Sequence, residues 1–170
     1  MSQSRRSFLK NISLTTVLLT GGGFKLLQAA EASALRKKVV YRFALASDGH
    51  YGQSGTLSDE LYSTIVNHIN QFHQQHSLDC CIINGDIIHD EKQFLVKAKE
   101  HLDALTMPYY TGKGNHDKVS DEYWKEVWGQ LPNLLVKDKH CHIISANTSN
   151  EKGEYLPPEL GSLQERLDAS

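Results

Sequence analysis

Cysteine is scarce in this 170-residue chain. Cys80, Cys81 and Cys141 are an odd number, and the first two are adjacent in an apolar run. They make no disulfide framework and read as buried strand thiols. A charge excess of either sign is also lacking. Eighteen Lys and Arg against twenty Asp and Glu leave a formal charge of −2, so there is no basic patch for nucleic acid. Long apolar runs are missing: Ile12 to Phe24 spans thirteen residues, three of them threonine and three glycine. A bilayer needs ~20, so no stable membrane anchor is expected. Two catalytic signatures fail as well. "TGKG" at 111–114 would need a glycine at Met107 and a Ser or Thr at Gly114 to be a phosphate loop, and no G-x-S-x-G elbow occurs. No repeat or Pro/Ser-rich linker divides the chain after Ala34. Apolar residues at 39% and charged residues at 22% suit one globular domain.

What is present begins with a basic N-terminal segment, Ser4 to Lys10, containing Arg5 and Arg6. The short apolar run follows, then "QAAEASA", where Ala30-x-Ala32 or Ala32-x-Ala34 fits a signal-peptidase site. "SRRSFLK" resembles the twin-arginine export signal. That resemblance implies that residues 1–34 are a signal peptide read by the twin-arginine export machinery. Residues 35–170 are then an exported domain, periplasmic or extracellular. Without the leader's four basic residues and one acidic residue, the remainder carries −5.

The remainder alternates strand and helix patterns. Val39 to Ser47 is β-branched and aromatic, a strand ending at Asp48. Ser58 is placed to cap a helix, with Asp59 and Glu60 in its first turn and Leu61, Ile65, Ile69 and Phe72 as its buried stripe. "CCIIN" at 80–84 reads as a strand buried on both faces. Leu95, Ala98, Leu102 and Leu105 predict a second helix, which Pro108 prevents from continuing. "PYYT" is a third strand. A short helix from Ser120 to Trp128 closes at Gly129, His140 to Asn147 is a further strand, and Leu160, Leu163 and Leu167 mark a last helix. This β-α-β-α-β-α-β-α order predicts an α/β fold with a largely parallel central sheet. Ligands bind such sheets beyond the carboxyl ends of the strands.

That edge is where the chemistry gathers. The first strand ends in "SDGH" with Asp48 and His50, the second in "NGDIIHD" with Asp86, the third in "GKGNHD" with Asn115, His116 and Asp117. Two carboxylates, an imidazole and an amide oxygen suit hard-to-borderline divalent ions such as Mn, Fe, Zn or Co. Asp86 is placed to bridge two ions, and Asn115 offers an oxygen to the second. His116 would protonate a leaving oxygen or stabilise phosphoryl charge, with Asp117 fixing its tautomer. His89 and Asp90 lie beside this set, for a supporting or substrate role or for capping a helix start. His68, His73, His76 and His101 fall on helices with polar neighbours and are expected in solvent. His140 and His142 are expected on one face of a half-exposed edge strand.

D-x-H, then G-D, then G-N-H-D, at separations of 38 and 29 residues between Asp48, Asp86 and Asn115, resembles the calcineurin-like metallophosphoesterase superfamily. The resemblance implies a metallophosphoesterase-like sandwich in which Asp48 and His50 bind metal one and Asp86 bridges. Asn115 binds metal two, and His116 is the catalytic imidazole with Asp117 supporting it. It further implies two divalent ions as cofactors and a small phosphoester substrate, a mono- or diester hydrolysed by a metal-bridging hydroxide. The family's later Gly-His-x-His loop has no counterpart here. The expectation is therefore the N-terminal part of the fold, incomplete at its C-terminus. The alternative is a truncated, inactive fragment that binds metal weakly or not at all. His89 stands where purple acid phosphatases carry tyrosine, which disfavours a tyrosinate-iron centre.

Overall fold

The computed structural model describes residues 16–20, 23–27, 39–138 and 140–169. Arg5, Arg6 and the small-residue cluster at 28–34 lie outside them, as does the remainder of the leader apart from one strand pair. Strands β1 (Thr16–Thr20) and β2 (Gly23–Leu27) pair antiparallel, Thr16 opposite Leu27. They belong to a unit ending at Val40, and a second unit begins at Tyr41. Among the described residues no helix is long and apolar enough to cross a membrane.

The second unit is α/β, with a parallel three-stranded sheet and four helices. Strands β3 (Phe43–Ala46), β4 (Cys80–Asn84) and β5 (Tyr109–Gly112) lie in that order, Ala46 beside Ile83 and Asn84 beside Gly112. Helix α1 (Ser58–His76) connects β3 to β4, and α2 (Phe94–Leu102) connects β4 to β5. Helix α3 (Asp121–Trp128) follows, packed on α2. Strand alternation sends Ala44, Ala46, Cys81, Ile83 and Tyr109 into the core beneath the helices. On the other face Phe43 and Leu45 are exposed. All three strands deliver the chain to one edge.

Several expectations need correction. The buried stripe of α1 is Tyr62, Val66 and Ile69, whereas Leu61, Ile65 and Phe72 are exposed. The helix is rotated so that the Tyr62 hydroxyl reaches the Ile87 carbonyl, a contact between residues 25 apart that no local periodicity contains. Ser58 is the first helical residue, not the cap, and its Oγ accepts from the Gly52 N–H at 2.9 Å. The later strand does not join the parallel sheet. β7 (His142–Ser145) pairs antiparallel with β6 (Leu134–Lys137), a strand the sequence reading omitted, in a separate two-stranded sheet. The last helix, α4 (Leu160–Asp168), buries none of its residues. Two helix histidines have partners: His73 Nδ1 accepts from the Leu78 N–H, and His101 Nε2 lies 2.8 Å from Asp59.

Leu95, Ala98, Leu102 and Leu105 are all buried as expected, although α2 itself ends at Leu102, ahead of Leu105 and Pro108. Helix α3 also forms where expected. Ser120 Oγ accepts from the Tyr123 N–H, and Gly129 ends the helix in the left-handed region at φ 74°. The three cysteines are free, Cys80 and Cys81 buried in β4.

Candidate metal centre

Beyond the sheet edge the three loops are locked to one another by backbone. The N–H groups of Asp48, His50 and Tyr51 donate to the carbonyls of Gly85, Asp86 and Ile87. The loop after β5 is tied in by Asp86, whose Oδ1 accepts from the His116 N–H at 2.9 Å. Glycine is required here by contact. A Cβ on Gly114 would stand 2.2 Å from Asp86 Oδ1 and 2.3 Å from Asp86 N. Four non-glycine residues of this edge occupy the left-handed region: Asp48 (φ 59°), His50 (41°), Asp86 (50°) and Asp90 (66°). Residues held in such conformations cluster at functional sites, where the surroundings over-determine them.

The side chains converge accordingly. His50 Nε2 lies 3.9 Å from both Asp48 Oδ1 and Asp86 Oδ2. Two bonds of ~2.0–2.2 Å to one ion span at most about 4.2 Å, so His50 can share a divalent cation with either carboxylate, and the three ligand atoms all lie within 4.8 Å of one another. Asn115 lines the same cleft as Asp48 and Asp86, and its Oδ1 accepts from the Tyr155 hydroxyl at 2.9 Å. On that side Asp86 and Asn115 are the two expected ligands. The donor set of oxygens with one imidazole suits Mn²⁺, Fe²⁺ or Zn²⁺ rather than a thiolate-loving ion.

His116 packs edge-on against His50, ring centroids 4.8 Å apart. Its Nδ1 meets Asp90 Oδ1 at 2.9 Å, and Asp90 Oδ2 is paired with Lys118 at 2.9 Å. The Lys118 ammonium, with His116 behind it, holds the Asp90 carboxyl below the usual carboxylate range. The carboxylate on His116 is thus Asp90, where the sequence reading put Asp117. Asp117 is fully buried and turned inward. Its Oδ1 accepts from the Ile88 N–H at 2.9 Å and its Oδ2 from the Gly114 N–H at 2.8 Å, bracing the loops after β4 and β5. Burial pushes its pKa up to about 7 against the pull of those donors.

Sequence reasoning missed Tyr155 and Lys118, and it left the roles of His89 and Asp90 open. Tyr155 lies 40 residues from Asn115, and no motif marks it. For Asp90 the sole signal was its adjacency to the G-D motif.

Fold and edge together define an α/β protein with a carboxylate–imidazole cluster, able to hold a metal ion, at the carboxyl ends of parallel strands. The chain belongs to the calcineurin-like phosphoesterase family, whose model matches residues 41–162. No curated protein matches it. Among solved structures it is similar to a dimetal phosphatase from Danio rerio, at 19% identity and a TM-score of 0.41. That alignment covers 51% of this chain and 33% of the other, so this chain spans about a third of that structure's length.

Proposed function

We propose that this chain is a metal-dependent phosphoesterase acting on small phosphate mono- or diesters, with two divalent ions at the strand edge. The observation that carries the reading is the convergence of Asp48, His50 and Asp86 on one point, with Asn115 in the same cleft and His116 against His50. Asp48 and His50 would hold one ion, Asn115 the other, and Asp86 both. Such a pair supplies Lewis-acid charge for a phosphate and acidifies water. The protein's own part is positional and protonic. Asp90 accepts from Nδ1 of His116, which leaves Nε2 to carry or release the proton for a leaving oxygen. The Gly114–Asp117 backbone loop keeps that ring against the ligands.

Hydrolysis of an aryl phosphate with added Mn²⁺, measured beside metal content, tests the reading. Asp86→Ala removes the shared ligand and should lower the rate at least about 100-fold. Undiminished turnover in that variant overturns the site. An unaltered chain with little or no bound metal and no turnover favours the inactive alternative. Residues 1–34 are proposed as a twin-arginine signal peptide directing the domain to the periplasm or beyond the cell. Their support is the Arg5–Arg6 segment, the short apolar run and the small-residue cluster.

A further inference from the structure

His50 belongs to two trios. One is the carboxylate trio with Asp48 and Asp86; the other is an all-imidazole trio with His89 and His116, one ring nitrogen of each within 4.8 Å of the others. The two nitrogens of His50 are divided between them. Nε2 faces the carboxylates at 3.9 Å, while Nδ1 lies 3.4 Å from His89 Nδ1. In a tetrahedral zinc site with bonds of ~2.0–2.1 Å, neighbouring nitrogens stand ~3.3 Å apart. The His50–His89 spacing matches that edge. The His116 ring lies stacked on that of His89, centroids 4.9 Å and planes 13° apart, so it has to turn as well as close a remaining gap of at most 1.5 Å from the 4.8 Å limit, both by side-chain rotation of half-buried rings. Its Nδ1 is held by Asp90, leaving Nε2 as its ligand atom, the carboxylate–histidine–metal arrangement common in zinc proteins.

We propose that His50, His89 and His116 form a second, inhibitory metal site for a borderline cation such as Zn²⁺ or Co²⁺. Three imidazoles without a carboxylate favour such ions over Mn²⁺ or Mg²⁺, which the oxygen-rich trio suits better. The two sites are antagonistic by chemistry. A neutral imidazole has one lone pair in its ring plane, so an ion on His50 Nδ1 withdraws Nε2 from the carboxylate trio. The same ion takes Nε2 of His116, the atom that would serve the leaving oxygen. Binding at this site stands on its own geometry, whereas its inhibitory consequence rests on the phosphoesterase reading above.

The experiment is Co²⁺ titration of the full chain, followed by the visible absorption of four-coordinate Co²⁺, with Zn²⁺ as competitor. The band should form in the unaltered protein and persist in Asp48→Asn, which retains all three imidazoles. His89→Gln should weaken it at least about tenfold, while circular dichroism reports the variant folded. His89→Cys restores a ligand atom and should bring binding back with an added thiolate-to-cobalt absorption. In the Mn²⁺-supported assay, excess Zn²⁺ should inhibit the unaltered chain and not His89→Gln. The proposal is overturned if His89→Gln keeps the band at unaltered affinity, or if Asp48→Asn abolishes it and His89→Gln does not. Absence of hydrolysis in every form would sink the phosphoesterase reading, and the Co²⁺ band would still decide the imidazole site.

Discussion

Asp90 and Asp117 show how adjacent carboxylates of one site divide their work. Asp90 lies on the surface side, between Lys118 and His116 Nδ1. Asp90→Asn keeps the shape and replaces the carboxylate oxygen that accepts from His116 Nδ1. The turnover number should fall about 10–100-fold with little change in KM, measured by steady-state kinetics. Asp117 is a structural brace. Because burial raises its pKa to about 7, the folded state binds its proton more tightly than the unfolded chain does. Its contribution to stability is complete below the ordinary carboxylate value near ~4 and is lost as pH rises through about 7. Urea midpoints should therefore fall between pH 5 and pH 8, and Asp117→Asn should flatten that trend. The sequence placed Asp117 on His116 because the two are neighbours in the G-N-H-D motif. Only the path of the loop shows that Asp117 points inward and that Asp90, 26 residues upstream of His116, reaches the ring.

At the scale of elements, the helices hold the sheet edge in place through a single core. Trp124 of α3 is fully buried beside Trp128, ring centroids 5.7 Å apart, and packs with Leu95, Ala98 and Val119 in one cluster. Since α3 follows directly on the Gly114–Asp117 loop, its anchoring keeps that loop seated. Trp124→Ala should cost about 3–5 kcal/mol in urea unfolding. Helix α2 was legible because its 3-4-3 spacing coincides with its buried face. For α1 the spacing failed by one position. Leu61, Ile65 and Phe72 are apolar yet exposed, and Tyr62 is inside because its hydroxyl has the Ile87 carbonyl to bond. A polar-tipped aromatic is read as core only when its partner is known.

At the scale of the molecule, one unit ends at Val40 and the other begins at Tyr41. The proposed export role of residues 1–34 belongs to this scale. Replacing Arg5 and Arg6 by Lys should retain the protein in the cytoplasm, measured by cell fractionation of the full chain. Correct fractionation of that variant to the periplasm would overturn the twin-arginine assignment. For the second unit, residue identity and spacing alone determined the alternation of strands and helices, the parallel sheet and the set Asp48, His50, Asp86, Asn115 and His116 at its carboxyl edge. They did so because strand periodicity, helix periodicity and glycine-flanked polar clusters are local properties of the chain. Tertiary structure decided which carboxylate orients His116, that His50 presents one nitrogen to each of two trios, that Tyr155 bonds Asn115, and that β6 and β7 form their own hairpin. Each of these depends on groups far apart in the chain meeting at distances of a few ångströms, and local pattern carries no information about such meetings.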